Sequence, residues 1–128
     1  MGEERGNAVG WFEIPVVDME RAMKFYETVL EVKLSRNQVG EIDMAWFQML
    51  EGKGAAGSLV FHKEWYKPSE NGVLVYFTAY SGDLDHELAR VEAAGGKILM
   101  PKHPIGEHGN IAVFLDTEGN RVALHSMK

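Results

Sequence analysis

The chain has 128 residues, no cysteine and a formal net charge of −6 from 13 Lys/Arg and 19 Asp/Glu. Without cysteine there is no disulfide framework, thiolate metal site or cysteine nucleophile. An acidic chain with no Lys/Arg run is a poor partner for nucleic acid. A hydrophobic fraction of 45% over this length suits one folded domain, residues 1–128, with a core of its own. No apolar run approaches the roughly 20 residues that cross a bilayer, so no membrane association is expected. Residues 1–10 carry Glu3, Glu4 and Arg5 and lack a signal-peptide stretch, so a cytoplasmic protein is expected.

Residues 9–17 (VGWFEIPVV) are rich in β-branched and aromatic side chains and read as a strand. Asp18 follows as an N-cap, since its carboxylate can accept from the free amides of the next turn. Residues 19–31 read as a helix, with Ala22, Met23, Tyr26, Val29 and Leu30 on one apolar stripe. Residues 32–39, 43–50 and 57–62 read as three strands, with Gly40 and the stretch GKGAAG (52–57) in the turns between them. Residues 63–72 form a polar loop. The order then repeats: a strand at 73–78, a helix at 83–94 capped by Asp83 and stopped by Gly95 and Gly96, and strands at 97–100, 111–116 and 121–126. Residues 117–120 (TEGN) form a tight hairpin turn between the last two. The capping aspartates lie 65 residues apart, half the chain to within a residue, which argues for duplication of a βαβββ unit, with modules of about 8–66 and 72–127.

Strand side chains alternate between faces, so each strand divides into two sets. Phe12, Ile14 and Val16 form an aliphatic and phenyl set in the first strand, against Trp11 and Glu13. Ala45, Phe47 and Met49 oppose Met44, Trp46 and Gln48 in the third; Leu59 and Phe61 oppose Ser58, Val60 and His62 in the fourth. Val73, Val75 and Phe77 oppose Leu74 and Tyr76. Ile111, Val113 and Leu115 oppose Ala112 and Phe114, and Val122 and Leu124 oppose Ala123 and His125. One set suits packing against the helices. The other gathers Trp11, Glu13, Trp46, Gln48, His62, Tyr76, Phe114 and His125, a mostly apolar surface with a few polar groups, which suits a small-molecule pocket. The same surface also suits an interface with a second subunit.

The stretch DMERAMKFY (18–26) resembles the D-hydrophobic-x-R/K-(S/A)-hydrophobic-x-F-Y segment of the vicinal oxygen chelate superfamily, which holds glyoxalase I, bleomycin-resistance proteins and extradiol dioxygenases. FLDTEGNRVAL (114–124) resembles that superfamily's F-x-D-P-D/E-G-N-x-hydrophobic-E-L hairpin, and ARVEAAGGK (89–97) its second helix and stop. The resemblance implies an α+β fold: two βαβββ modules forming a curved mixed β-sheet cup with helices on the outside, commonly built into homodimers. Aromatics expected at the sheet edges, such as Trp65 and Tyr66, are compatible with a dimer. In the superfamily's metal-dependent members, ligands stand on the first, fourth, fifth and eighth strands. Carried over, these positions fall on Trp11, near Ser58 or Val60, near Leu74, and on Ala123. Trp and Ala cannot hold a hard divalent cation, so the usual site is lost. A step of two residues keeps the same face and offers a displaced divalent-metal set of Glu13, His62 and His125, with Tyr76 beside it.

Two functions follow as expectations. One is a glyoxalase-like lyase or dioxygenase-type enzyme acting on a small oxygenated substrate, with Glu13 as base and His62, Tyr76 and His125 as ligands or proton donors. The other is a binding protein that sequesters an aromatic compound against Trp11, Trp46, Tyr76 and Phe114, with Gln48 nearby. His103, His108 and Glu107 lie in the loop 101–109, and His86 on the outer side of the second helix.

Overall fold

The computed structural model describes residues 7–52 and 54–128. The first six residues, part of the stretch read above for a signal peptide, and Lys53 of the 52–57 turn lie outside the described residues. The elements are β1 (Phe12–Pro15), α1 (Met19–Leu30), β2 (Ser35–Val39), β3 (Ile42–Trp46), β4 (Gly57–Phe61), β5 (Tyr76–Thr78), α2 (Leu84–Val91), β6 (Lys97–Pro104), β7 (Asn110–Leu115) and β8 (Arg121–Ser126). A 3-10 turn, Gly106–His108, precedes β7.

The duplication read from the sequence is visible in the pairing. One sheet runs β1-β4-β3-β2 and the other β5-β8-β7-β6, and in each the first strand of the module lies parallel to the last while the rest are antiparallel. The fold is α+β and glyoxalase-like: two helices and eight strands in two four-stranded mixed sheets.

Both helices begin where their caps predict. Asp18 accepts from Arg21 N at 3.1 Å, and Asp83 from Asp85 N at 3.0 Å. Helix α1 buries Met19, Ala22, Phe25, Tyr26, Val29 and Leu30, adding Phe25 to the predicted stripe. It ends at Glu31 in the left-handed region, with φ of 55°. Helix α2 stops earlier than 94, and Gly96 N returns to Val91 O. Gly96 is required by space: a Cβ there would stand 2.6 Å from Leu115 O and 2.8 Å from the Phe25 ring.

One continuous core spans both modules. At its centre Phe12, Tyr26, Phe47 and Phe77 pack ring to ring with centroids 5.5–5.8 Å apart, the spacing of favourable edge and tilted contacts. Phe12 and Phe47 come from the first sheet and its edge, Phe77 from the second, so this cluster joins the modules.

Three strands differ from expectation. Val73 is 93% exposed, and regular pairing of the fifth strand starts only at Tyr76. Strand β3 ends at Trp46, which leaves Met49 and Leu50 exposed. Strand β6 runs on through Pro101 to Pro104, with register shifts on both sides of Met100. Being the edge of its sheet, β6 has one side without ladder bonds and tolerates the missing amides.

Candidate functional site

The helix-free face of the first sheet is built in rows. Glu13 on β1 pairs with Ser58 on β4, and Ser58 pairs with Trp46 on β3. Paired residues share a face, so these three side chains form one row across the sheet. Trp11 stands edge-on to Trp46, centroids 5.9 Å apart and planes at 81°. Tyr66, from the loop after β4, donates to Glu13 Oε1 at 2.8 Å. That bond holds the phenol above its ordinary pKa, since ionising it would set an anion beside a carboxylate.

The second sheet repeats the plan. Tyr76 pairs with Ala123 and Thr78 with His125, and Ile111 lies on the far side of His125. Tyr76 precedes its cap Asp83 by seven residues, as Trp11 precedes Asp18. Trp11 and Tyr76 are therefore equivalent positions of the two modules, and both line one cleft of about 630 Å³ at the β1/β5 junction. Val9, Glu13, Lys67 and Val73 are among its other walls. That volume falls in the range of small-molecule sites. A wider opening of about 920 Å³ lies beside the end of α1, lined among others by Glu27, Glu31, Lys33, Gln48, Met49 and Trp46, which was expected at the ligand site but does not line the junction cleft. It touches only one module, whereas both modules wall the junction cleft, which is the better candidate. A third hollow of about 420 Å³ holds Tyr76, Thr78, Ile105, Ile111 and His125.

The two modules are bolted together by the hairpin after β7. Asp116 accepts from Tyr26 Oη at 2.6 Å and from the amides of Glu118 and Asn120. Burial pushes the Tyr26 phenol well above its ordinary pKa, and the Asp116 charge adds to this. Glu118 accepts from Val17 N at 2.7 Å, Asp18 N at 2.8 Å and Arg21 Nε at 2.8 Å. Burial alone would raise the Glu118 pKa; Arg21 and the two amides outweigh it and hold it at about 2. Asn120 donates to Pro15 O at 2.7 Å. The hairpin motif is thus a structural clamp that fixes β1 against the second module.

Several expected site residues lie elsewhere. Phe114 does not face the cleft: it is fully buried against Phe25 in the helix-facing core. The register pairs Phe114 with Val122 and Ala112 with Leu124, which puts both on the helix side and turns Ile111 and Val113 toward the His125 face. Gln48 lies beyond the end of β3, beside the α1 opening rather than the junction cleft.

The expected metal set of Glu13, His62 and His125 does not assemble. The His62 ring is buried at the end of β4, where Nδ1 accepts from Glu64 N and Trp65 N, both at 3.2 Å. Trp65 stacks on it at 4.0 Å. The His125 ring lies in the second module and donates from Nε2 to His108 O at 2.7 Å within that module. Among the described residues no three His, Asp or Glu groups come together as metal ligands. At the level of the superfamily's own ligands, Trp11 and Ala123 offer no donor, and the residue paired with Ala123 is Tyr76, two positions beyond Leu74. At these positions the donors among the described residues do not fit a divalent metal.

Sequence reasoning missed Tyr66 and Lys67 as site residues. Both sit on the loop between modules, and no strand alternation reports where a loop side chain lands.

The sequence matches the family described as Glyoxalase/Bleomycin resistance protein/Dioxygenase superfamily over residues 8–124. The chain belongs to this superfamily. Among solved structures, a glyoxalase I variant from Zea mays is 27% identical with a TM-score of 0.72; the match covers 92% of this chain and 45% of that one. The chain therefore spans about half the length of the maize glyoxalase I. An antibiotic-binding protein from Streptomyces sp. CB03234 is 25% identical with a TM-score of 0.62, covering 98% of each chain. A glyoxalase/bleomycin resistance protein from Albidiferax ferrireducens T118 shares the fold at 18% identity and a TM-score of 0.70, with 91% and 95% covered. No curated protein matches the sequence significantly.

Proposed function

We propose that this superfamily member binds a small planar aromatic molecule in the β1/β5 cleft and sequesters it. The observation that carries the reading is the placement of Trp11 and Tyr76, equivalent aromatics of the two modules, on one cleft of about 630 Å³. Each ring is partly exposed, so stacking a ligand removes apolar surface from water on both sides. Glu13 and Lys67 supply one charge of each sign at the rim for polar substituents. The likeness to an antibiotic-binding protein over almost the full length of both chains supports the same reading. The protein acts in this reading as a cytoplasmic homodimer. Sedimentation at twice the 14.3 kDa chain mass is the expected state, and sedimentation at the single-chain mass removes the dimer.

Intrinsic fluorescence tests binding. Titration with 2-naphthol and related bicyclic phenols should quench Trp11 in a saturable way, and Tyr76→Leu should weaken binding about tenfold, the loss of one stacking partner. An unchanged signal across the panel contradicts sequestration.

The Glu13–Tyr66 couple favours a second reading, proton transfer on a small oxygenated substrate. Tyr66 occupies Glu13 Oε1 and orients the carboxylate, and Oε2 faces no protein donor among the hydrogen bonds of the described residues. As base, Glu13 would take the proton through Oε2, and Glu13→Gln would abolish turnover. Undiminished turnover in that variant removes Glu13 from the role.

A further inference from the structure

His125 differs from His62 in what its ring still has to offer. His62 Nδ1 is spent on two backbone amides. His125 Nε2 lies 2.7 Å from His108 O, and a carbonyl oxygen only accepts, so Nε2 carries the proton. In the neutral ring Nδ1 is then a bare lone pair, and it has no partner among the hydrogen bonds of the described residues. The carbonyl that fixes this tautomer is itself held in place. The turn around it is closed by Ile105 N donating to Gly109 O at 2.8 Å. Gly109 lies so tightly on β8 that a Cβ there would collide with the Ser126 backbone.

The duplication shows what surrounds that lone pair. Thr78 precedes Asp83 by five residues, as Glu13 precedes Asp18. Thr78 pairs with His125 and His125 with Ile111, so the three form one row on the helix-free face of the second sheet. Its counterpart in the first module is the row of Glu13, Ser58 and Trp46. Where the first row carries a carboxylate, the second carries an imidazole acceptor. Both Thr78 and His125 line the hollow of about 420 Å³, with Tyr76, Ile105 and Ile111 as its other walls. That volume is enough for one small ring.

The lining selects the ligand. No Asp, Glu, Lys or Arg lines the hollow, so a charged ligand would give up hydration without meeting a counter-charge. A bare ring nitrogen calls for a donor, and the two isoleucines and the Tyr76 ring call for an apolar, planar body. We propose that this hollow is a second ligand site, separate from the junction cleft, for a neutral single-ring phenol whose hydroxyl donates to His125 Nδ1. Only Tyr76 is common to the linings of the two sites, and this one stands without the sequestration reading.

The test titrates the full chain, labelled with nitrogen-15, with 4-methylphenol and with its methyl ether, 4-methylanisole. The ether has the same ring and cannot donate. The readout is the His125 ring nitrogens by NMR at about pH 8, where an imidazole is ordinarily neutral. The free protein should show Nε2 protonated and Nδ1 bare. The phenol should move the Nδ1 resonance in a saturable way, and should bind there about fivefold more tightly than the ether, the worth of one neutral hydrogen bond. His125→Phe keeps a ring in place and should bring the ratio of the two affinities toward one. The Trp11 indole reports any phenol in the junction cleft, so the two sites are read separately. A proton on Nδ1 in the free protein overturns the proposal. So does a phenol that moves only Trp11, which leaves the junction cleft standing. Equal affinity of the two probes at His125, or a preference that survives His125→Phe, also overturns it.

Discussion

Glu118 is the residue whose charge should contribute most to holding the two modules in register. Its side chain is fully buried and accepts from Val17 N, Asp18 N and Arg21, all on the first module. Its pKa is held from an ordinary 4.5 down to about 2. At neutral pH that difference corresponds to about 3 kcal/mol of stability. Arg21 is half exposed, so solvent screening reduces the figure to about 2 kcal/mol. The sign follows from the direction. A carboxyl depressed in the folded state stabilises fully above 4.5, and the contribution is lost as the pH falls toward 2. Glu118→Gln should therefore cost about 2 kcal/mol in urea unfolding at pH 7, and less than half of that gap should remain near pH 3. A gap of the same size at both pH values would refute the electrostatic account and leave only lost shape. Because Val17 and Asp18 lie two and three residues beyond β1, the variant should also weaken aromatic binding at the cleft.

Three further outcomes follow from packing. Phe114→Ala, in the helix-facing core, should cost about 3–5 kcal/mol by urea unfolding; a cost below about 1 kcal/mol would contradict its burial. Tyr26→Phe removes a buried 2.6 Å bond to Asp116 and should cost about 1–3 kcal/mol in the same assay. Gly57→Ala would drive a Cβ into the carbonyl and ring of Phe12, forcing β1 away from β4. It should cost about 1–3 kcal/mol and lower the affinity for 2-naphthol in the fluorescence titration.

The parts of this fold that were readable from sequence are those set by local chemistry. Asp18 and Asp83 announce the helices because a cap needs only its own next turn. Their spacing exposed the duplication, and the hairpin 117–120 announced itself through turn residues. What failed depended on partners far along the chain. Alternation alone offered Ile111, Val113 and Leu115 as a core face, since three aliphatics outweigh Ala112 and Phe114 by eye. The signal that decides it was present: closure of the hairpin pairs Phe114 with Val122 and Ala112 with Leu124, whose core face was already clear. Glu13 was readable as a cleft residue, but its partner Tyr66 lies 53 residues away on a loop, beyond any local pattern. His62 and His125 shared a notional face with Glu13, yet His62 is held by amides two and three residues on and His125 by a carbonyl 17 residues away, and alternation encodes neither bond. The clamp made by Asp116, Glu118 and Asn120 was legible as a motif, but its task was not, because its partners Tyr26, Val17 and Pro15 are supplied by the other module.

Two-dimensional NMR of the three tryptophan indole N–H groups during titration with 2-naphthol tests the central claim most directly. The indole of Trp11 should shift most, that of Trp46 less, and that of Trp65 least, since of the three only Trp11 lines the junction cleft, and Trp46 packs edge-on against Trp11. Saturable shifts confined to Trp65, or none at any indole, would contradict a ligand cleft between the two modules.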